Sequence, residues 1–421
     1  MNKKDYNYGP SQHDHDAHND SHEFLFPTYE VGSLPKLNAR VKAARSQQLT
    51  EEEITEVKDL AQRYSLQAEA DEALDILHHQ KKNPIKLSTA EEHTLADFNA
   101  LLYLKLQEAV GLDFVYDGEA RRSEMYQHVA TRVEGFERTS EMIRSRGPDS
   151  WRMAVCINTP QLKESSLDHL IITEFDFVQQ HRQKPAKVPI DDPYMIAVMS
   201  DNRYYLELLK PEYGNDPGKL RYEAKRVFTL ALAKNVIRPQ VEAVVAKGAK
   251  WIQLDIPAAT LDIGHIPIMV EGLNAVVEGI TNSKFSLHLC YPRRVSLTEK
   301  KGYELLFPAL LDLHPNINHL SLELANADRY ENDLAVFAQY KNQRSFEIGV
   351  GVTDITLERQ QQGVIETPEI VRNRILRAAN VLGDPNMVYV APDCGLRQLQ
   401  LDRCLKMYEV MIEGAELARK G

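Results

Sequence analysis

The sequence predicts an α/β protein built as an eight-stranded (β/α)8 barrel of the TIM type. Two observations carry this expectation. Short β-branched or apolar runs alternate with long amphipathic stretches, as in βα units around a parallel sheet. Residue types suited to chemistry recur at the ends of those runs, where parallel barrels carry their functional groups. The runs are Thr28 to Ser33, Leu112 to Asp117, Leu170 to Phe175, Met195 to Met199, Trp251 to Asp255, Phe285 to Cys290, Asn318 to Glu323, Phe346 to Val350 and Val388 to Ala391. They number one more than a barrel needs, and a length of 421 residues suits one barrel with insertions.

The chain opens with His13, His15, His18 and His22 among Asp14, Asp16, Asn19 and Asp20. So polar a stretch buries too little apolar surface to fold, so residues 1–23 are expected to be a disordered tail, and 24–421 one barrel domain. A long charged helix from about Glu51 to His79 exceeds what a barrel requires and is expected to be an N-terminal insertion. Ser88 with Glu91 forms a capping box ahead of Leu95. Thr367 and Pro368 supply a cap and an N1 proline ahead of Ile370, Ile375 and Leu376. No internal repeat is evident.

Composition excludes more than it identifies. With 50 Lys and Arg against 61 Asp and Glu, the net charge of −11 argues against a phosphate-backbone partner, which calls for a basic face. Apolar stretches such as Val227 to Ala233 are cut short by Lys234, far below a membrane span, and Met1 to Ser11 lacks an apolar signal core. The expected compartment is the cytoplasm. Four cysteines, Cys156, Cys290, Cys394 and Cys404, are too few for a disulfide framework in so long a chain and are expected to be free thiols or metal ligands.

Two of those cysteines lie in a metal-like arrangement. In Ser286-Leu287-His288-Leu289-Cys290, the imidazole and thiol are spaced by two, so on a strand both project from one face. Glu323 ends the next strand, about 4.8 Å away in a parallel sheet, and Cys394 follows a later strand end. A His-x-Cys pair alone is more often plain core, but four candidates at strand ends form a set. Two thiolates, an imidazole and a carboxylate favour zinc over magnesium or calcium. Metal coordination deprotonates a thiol at neutral pH, which suits alkyl transfer to sulfur. Cys156 and Cys404 have no polar partners at ligand spacing and are assigned to packing.

Six motifs together give the chain a resemblance to a known family: Val31-Gly32-Ser33-Leu34-Pro35, Asp117-Gly118-Glu119, Gln253-Leu254-Asp255-Ile256-Pro257, His288-Leu289-Cys290-Tyr291, Leu322-Glu323 and Pro392-Asp393-Cys394-Gly395-Leu396. In this order they resemble the catalytic barrel of cobalamin-independent methionine synthases, in a short form with a single barrel. The resemblance implies Zn(2+) held by His288, Cys290, Glu323 and Cys394, with Glu323 loosening as homocysteine joins the metal. It further implies that Ser33 contacts the homocysteine carboxylate and that Glu119 and Asp255 accept its ammonium group. The activity implied is methyl transfer to homocysteine, giving methionine. The donor stays open between methyltetrahydrofolate and a methyl-corrinoid protein, because the long family members use a second barrel-like half to hold folate. Ile256 stands where the family usually has Glu.

Three other readings compete. Coenzyme M transferases share the zinc motif, but a sulfonate thiol has no ammonium to engage Glu119 and Asp255. A non-catalytic metal or corrinoid binder would use the His-rich tail as a store. Tetrapyrrole decarboxylation shares only the barrel architecture. Arg293, Arg294, Lys300 and Lys301 reverse the local charge between Cys290 and Glu323 and are expected to attract an anionic donor or partner.

Overall fold

The computed structural model describes residues 25–122, 125–144, 150–163, 170–257, 259, 262–291, 302–326, 329–356 and 363–421. The His-rich tail and the loop bearing Arg293, Arg294, Lys300 and Lys301 lie outside them. Six parallel strands form the central sheet in sequential order: β3 (Lys187–Asp191), β4 (Trp251–Ile256), β5 (Lys284–Leu289), β6 (Ile317–Leu322), β7 (Glu347–Gly351) and β8 (Val388–Ala391). These strands are buried along nearly their whole length, which is why they read as continuous apolar runs. Single bridges continue the pairing at both edges: Thr28 with Val390, Tyr29 with Phe114, and Val115 with Ala186.

Parallel neighbours need a crossover, and helices supply most of them. In chain order these are α1 (Asn38–Ala44), α2 (Glu51–Arg63), α3 (Gln67–Lys82), α4 (Thr89–Val110), α5 (Met125–Ala130), α6 (Ile171–His181), α7 (Pro193–Met199), α8 (Arg203–Tyr213), α9 (Pro217–Leu232), α10 (Arg238–Ala246), α11 (Ile266–Val277), α12 (Tyr330–Tyr340), α13 (Pro368–Leu382) and α14 (Leu401–Arg419). The Ser88 and Glu91 capping box forms at α4, and Thr367 caps α13 with Pro368 in its first turn.

Three expectations about elements are corrected, and one element is added. Leu170 to Phe175 is the start of α6, because the apolar positions continue at helical spacing through Phe175 and Val178. Met195 to Met199 is helical in α7, where the Asp192 carboxylate accepts the Tyr194 and Met195 N–H groups and Pro193 sets the first turn. The expected helix from Glu51 to His79 is two helices, broken at Ser65, whose φ is 57°. Residues 133–162 also hold an antiparallel hairpin, β1 (Val133–Arg144) and β2 (Ser150–Leu162), that was not anticipated.

Strand β3 escaped notice because Pro189 sits in its middle between Lys187 and Asp191. Successive N–H groups alternate sides along a strand, and that of Lys187 points to the Val115 carbonyl at 3.2 Å. The donor that Pro189 lacks lies on that same side, where pairing is limited to a single bridge, so β3 keeps its ladder with β4.

At the amino ends of the strands the interior is closed by rings. Trp251 packs edge-on to Tyr29 and His319 with centroids 5.1 and 5.0 Å away, and His319 lies 4.7 Å from Tyr389. The Lys284 ammonium stands 4.1 Å from the Tyr389 ring centre and pairs with Glu347, which also meets His319 at 3.1 Å.

Candidate metal and substrate site

The opposite, carboxyl ends of the strands gather the residues singled out in the sequence. Asp255 of β4 and His288 of β5 are register partners, so their side chains emerge side by side. The Asp255 carboxylate meets His288 Nδ1 at 3.2 Å and also accepts from Gln253 Nε2 at 2.7 Å. This holds the ring so that Nε2 faces Cys290 Sγ at 2.7 Å, and Cys394 Sγ lies 3.0 Å beyond. Ligand atoms of His288, Cys290 and Cys394 all lie within 4.8 Å of one another, a group that could hold a metal ion. A carboxylate behind a histidine fixes tautomer and orientation, as in the outer shell of metal sites. Burial opposes charge on His288, but Cys394 and Asp255 outweigh it and push the ring up to about 10.

Glu323 is not part of that close group. It follows β6 one step past the Leu289 and Leu322 register pair, level with Cys290, and its N–H donates to the Tyr303 hydroxyl at 2.9 Å. The next two amides, of Leu324 and Ala325, donate to Asp393 Oδ1 at 2.9 and 2.8 Å. One buried carboxyl thus ties the segment after Glu323 to the segment before Cys394. Burial first, and the neighbouring Glu323 second, hold Asp393 far above the usual carboxylate range.

Ser33 and Glu119 line one wall of the mouth. The Leu396 N–H donates to the Ser33 carbonyl at 2.7 Å, and a Cβ on Gly395 would come within 2.5 Å of Ser33 Oγ, so glycine there lets Ser33 lie against the loop bearing Cys394. Glu119 sits at φ 55°, a strained value for a non-glycine, and its carboxylate lies against Gly32. Burial raises its carboxyl; Arg122, 4.0 Å away, lowers it, and Asp255 raises it again. Arg122 is itself fixed by Glu174 through hydrogen bonds of 2.9 and 2.6 Å.

The sequence reading therefore brings together His288, Cys290, Cys394 and Asp255 directly, with Ser33, Glu119 and Glu323 on the surrounding rim. It missed Asp393, Tyr303 and the Arg122 and Glu174 pair. Asp393 adjoins Cys394 in the quoted motif and Arg122 stands three residues from Glu119, whereas nothing in the sequence links Tyr303 or Glu174 to the site. Cys156 and Cys404 are buried away from it, as expected, and burial pushes the Cys156 thiol up to about 12.

Comparison with known proteins gives the family. Residues 211–417 match the family described as cobalamin-independent synthase, catalytic domain. Methionine synthase of Pyrococcus abyssi is 30% identical over 318 residues, covering 75% of this chain and 80% of that protein. That of Thermoplasma volcanium is 31% identical over 318 residues, covering 72% and 83%. A solved B12-independent methionine synthase from Shewanella sp. W3-18-1, in complex with selenomethionine, shares the fold with a TM-score of 0.68 at 20% identity, over 94% of this chain and 98% of that one. No helix among the described residues is long and apolar enough to cross a membrane. By its similarity to these proteins and its motifs in order, the chain belongs to the cobalamin-independent methionine synthase family.

Proposed function

We propose that this protein transfers a methyl group to the sulfur of homocysteine, forming methionine, in a single (β/α)8 barrel spanning 24–421 behind a His-rich tail. Isolated parallel bridges at residues 28–29 and 114–115, which link the β8 edge to the β3 edge, support that reading. The observation that carries the reaction is the convergence of His288, Cys290 and Cys394 beside Asp255.

One nitrogen and two sulfurs within 4.8 Å fit zinc, which prefers such donors in four-coordinate sites. His288, Cys290 and Cys394 would hold the ion, with Glu323 as the fourth ligand that yields to substrate. When bound, zinc acidifies a coordinated thiol, so the sulfur of homocysteine is nucleophilic at neutral pH. The methyl group moves from the donor to that sulfur, and the thiol proton is lost to solvent. Asp255 holds the His288 ring, and Asp393 fixes Glu323 and Cys394 relative to each other. Burial first, with Asp255 nearby, raises the cost of ionising Glu119, and the ammonium group of an amino-acid thiol relieves it. Ser33 donates to the carboxylate. That pair of acids favours homocysteine over a sulfonate thiol.

Metal analysis and zinc-edge X-ray absorption with and without homocysteine test the reading, on wild type and Cys394→Ser. About one zinc per chain that gains a sulfur ligand with homocysteine, and weakened binding in the variant, are expected. A metal shell indifferent to thiols would overturn it.

A further inference from the structure

A cavity of about 810 Å³ opens where the mouth of the sheet meets the N-terminal helices. Ser33 and Glu119 form its inner wall, and Lys36, Arg40 and Arg45 around α1 form much of its outer wall, with Glu56 of α2 and Glu92 of α4. Cavities of roughly 300–1,000 Å³ accept drug-sized ligands, so an amino acid as small as homocysteine leaves most of this one for a second molecule.

Arg40 indicates the charge of that molecule. Its Nη1 donates to Asn99 Oδ1 at 3.3 Å and to the Ala120 carbonyl at 2.6 Å, both neutral. No carboxylate among the described residues pairs with it; nearby Asp97 is taken by Arg121 at 2.9 Å. A guanidinium carries five donors in a planar fork, and Nε and Nη2 have no partner here. Burial pushes Arg40 down to about 10 despite the surrounding acidic groups. Arg122 on the same wall is the opposite case, since Glu174 meets its charge through two hydrogen bonds. A half-buried cation with no carboxylate paired to it is costly, and an anionic ligand removes the cost.

We propose that Arg40 binds an anionic arm, carboxylate or phosphate, of the second substrate, while the other end of that substrate reaches past Ser33 and Glu119 to the cysteine cluster. Identifying this substrate as the methyl donor rests on the function proposed above, whereas the anion site does not. The wall that presents Arg40 is the added helical segment α1 to α3 together with α4, so the segment that exceeds a minimal barrel acquires a binding role.

The zinc-loaded protein is titrated by calorimetry with inorganic phosphate and, separately, with glutarate, as wild type, Arg40→Gln and Arg40→Lys. At least one anion is expected to bind, about tenfold or more weaker in Arg40→Gln and partly recovered in Arg40→Lys. Binding of phosphate alone assigns a phosphate arm, and binding of glutarate alone assigns a carboxylate arm. A parallel kinetic arm uses methylcobalamin against methylcobinamide, which lacks the phosphate, and methyltetrahydrofolate with one or three glutamates. The KM of the accepted donor is expected to rise about tenfold in Arg40→Gln while that of homocysteine does not. Equal anion affinity in wild type and a folded Arg40→Gln overturns the proposal, whatever the methyl transfer assay shows. Arg40-dependent anion binding without any methyl transfer upholds the site and counts against the proposed reaction instead.

Discussion

Replacing Asp393 by alanine removes the acceptor that joins two proposed ligands. Its Oδ1 takes the N–H groups of Leu324 and Ala325 at 2.9 and 2.8 Å in a fully enclosed position. Each buried amide left without an acceptor costs about 1–3 kcal/mol, so the variant is expected to lose about 2–6 kcal/mol of stability. The same deletion frees Glu323 and Cys394 to drift apart, and zinc affinity is expected to fall about 10–100-fold, the usual effect of losing an outer-shell partner. Asp393→Asn separates acceptor from charge. It keeps Oδ1, and because burial already disfavours the charged form of Asp393, it should cost less than about 1.5 kcal/mol. Urea unfolding measures the first quantity and competition with a chromogenic chelator the second. Zinc affinity in Asp393→Ala close to wild type would refute the clamp, and so would an Asp393→Asn variant as damaged as the alanine one.

Three further substitutions probe other parts of the molecule. A Cβ at Gly351 would lie 2.2 Å from Asp393 Oδ1 and 2.5 Å from the Leu322 carbonyl, so Gly351→Ala should destabilise by about 1–3 kcal/mol or more in urea; unchanged stability contradicts the packing described. Burial holds His319 down to about 4, against about 6.5 when unfolded, so the unfolded chain takes up the proton first as pH falls. The stability it contributes is complete above pH 6.5 and lost toward pH 4, by up to about 3 kcal/mol, and His319→Gln should flatten that loss in unfolding curves collected across the range. Glu119→Gln should raise the homocysteine KM by about tenfold or more and leave a thiol acid without an ammonium group, such as 4-mercaptobutyrate, indifferent. Equal effects on both thiols would remove Glu119 from ammonium recognition.

The metal cluster was legible because period-two geometry places His288 and Cys290 on one face and because their strands are apolar runs, bounded nearly as read at β4, β5, β6, β7 and β8. Elements defined by tertiary contacts were not. Strand β3 has a lysine at one end, an aspartate at the other and a proline between; its Lys187 is satisfied only by the Val31 carbonyl and Gln253, residues remote in sequence. The runs at Leu170 and Met195 have β-like composition, and what makes them helices is a cap at Asp192 and burial of one stripe. The Asp393 bonds to backbone amides carry no sequence pattern, since any residue but proline offers an N–H. Arg40 was equally silent, its character set by hydrogen bonds to neutral acceptors with no carboxylate among the described residues paired to it.

The ring-packed floor formed by Tyr29, Trp251, His319 and Tyr389 has a bearing on traffic. With that end packed by rings, reactants are expected to pass in and out at the opposite, carboxyl ends of the strands. On the function and anion site proposed above, the small thiol rests beside the sulfurs and the larger second molecule stands outside it. Entry is then expected to be sequential, amino acid first, with the methylated product held until the spent donor has withdrawn. Such an order leaves a kinetic signature: excess donor should block the empty protein, and excess homocysteine should not.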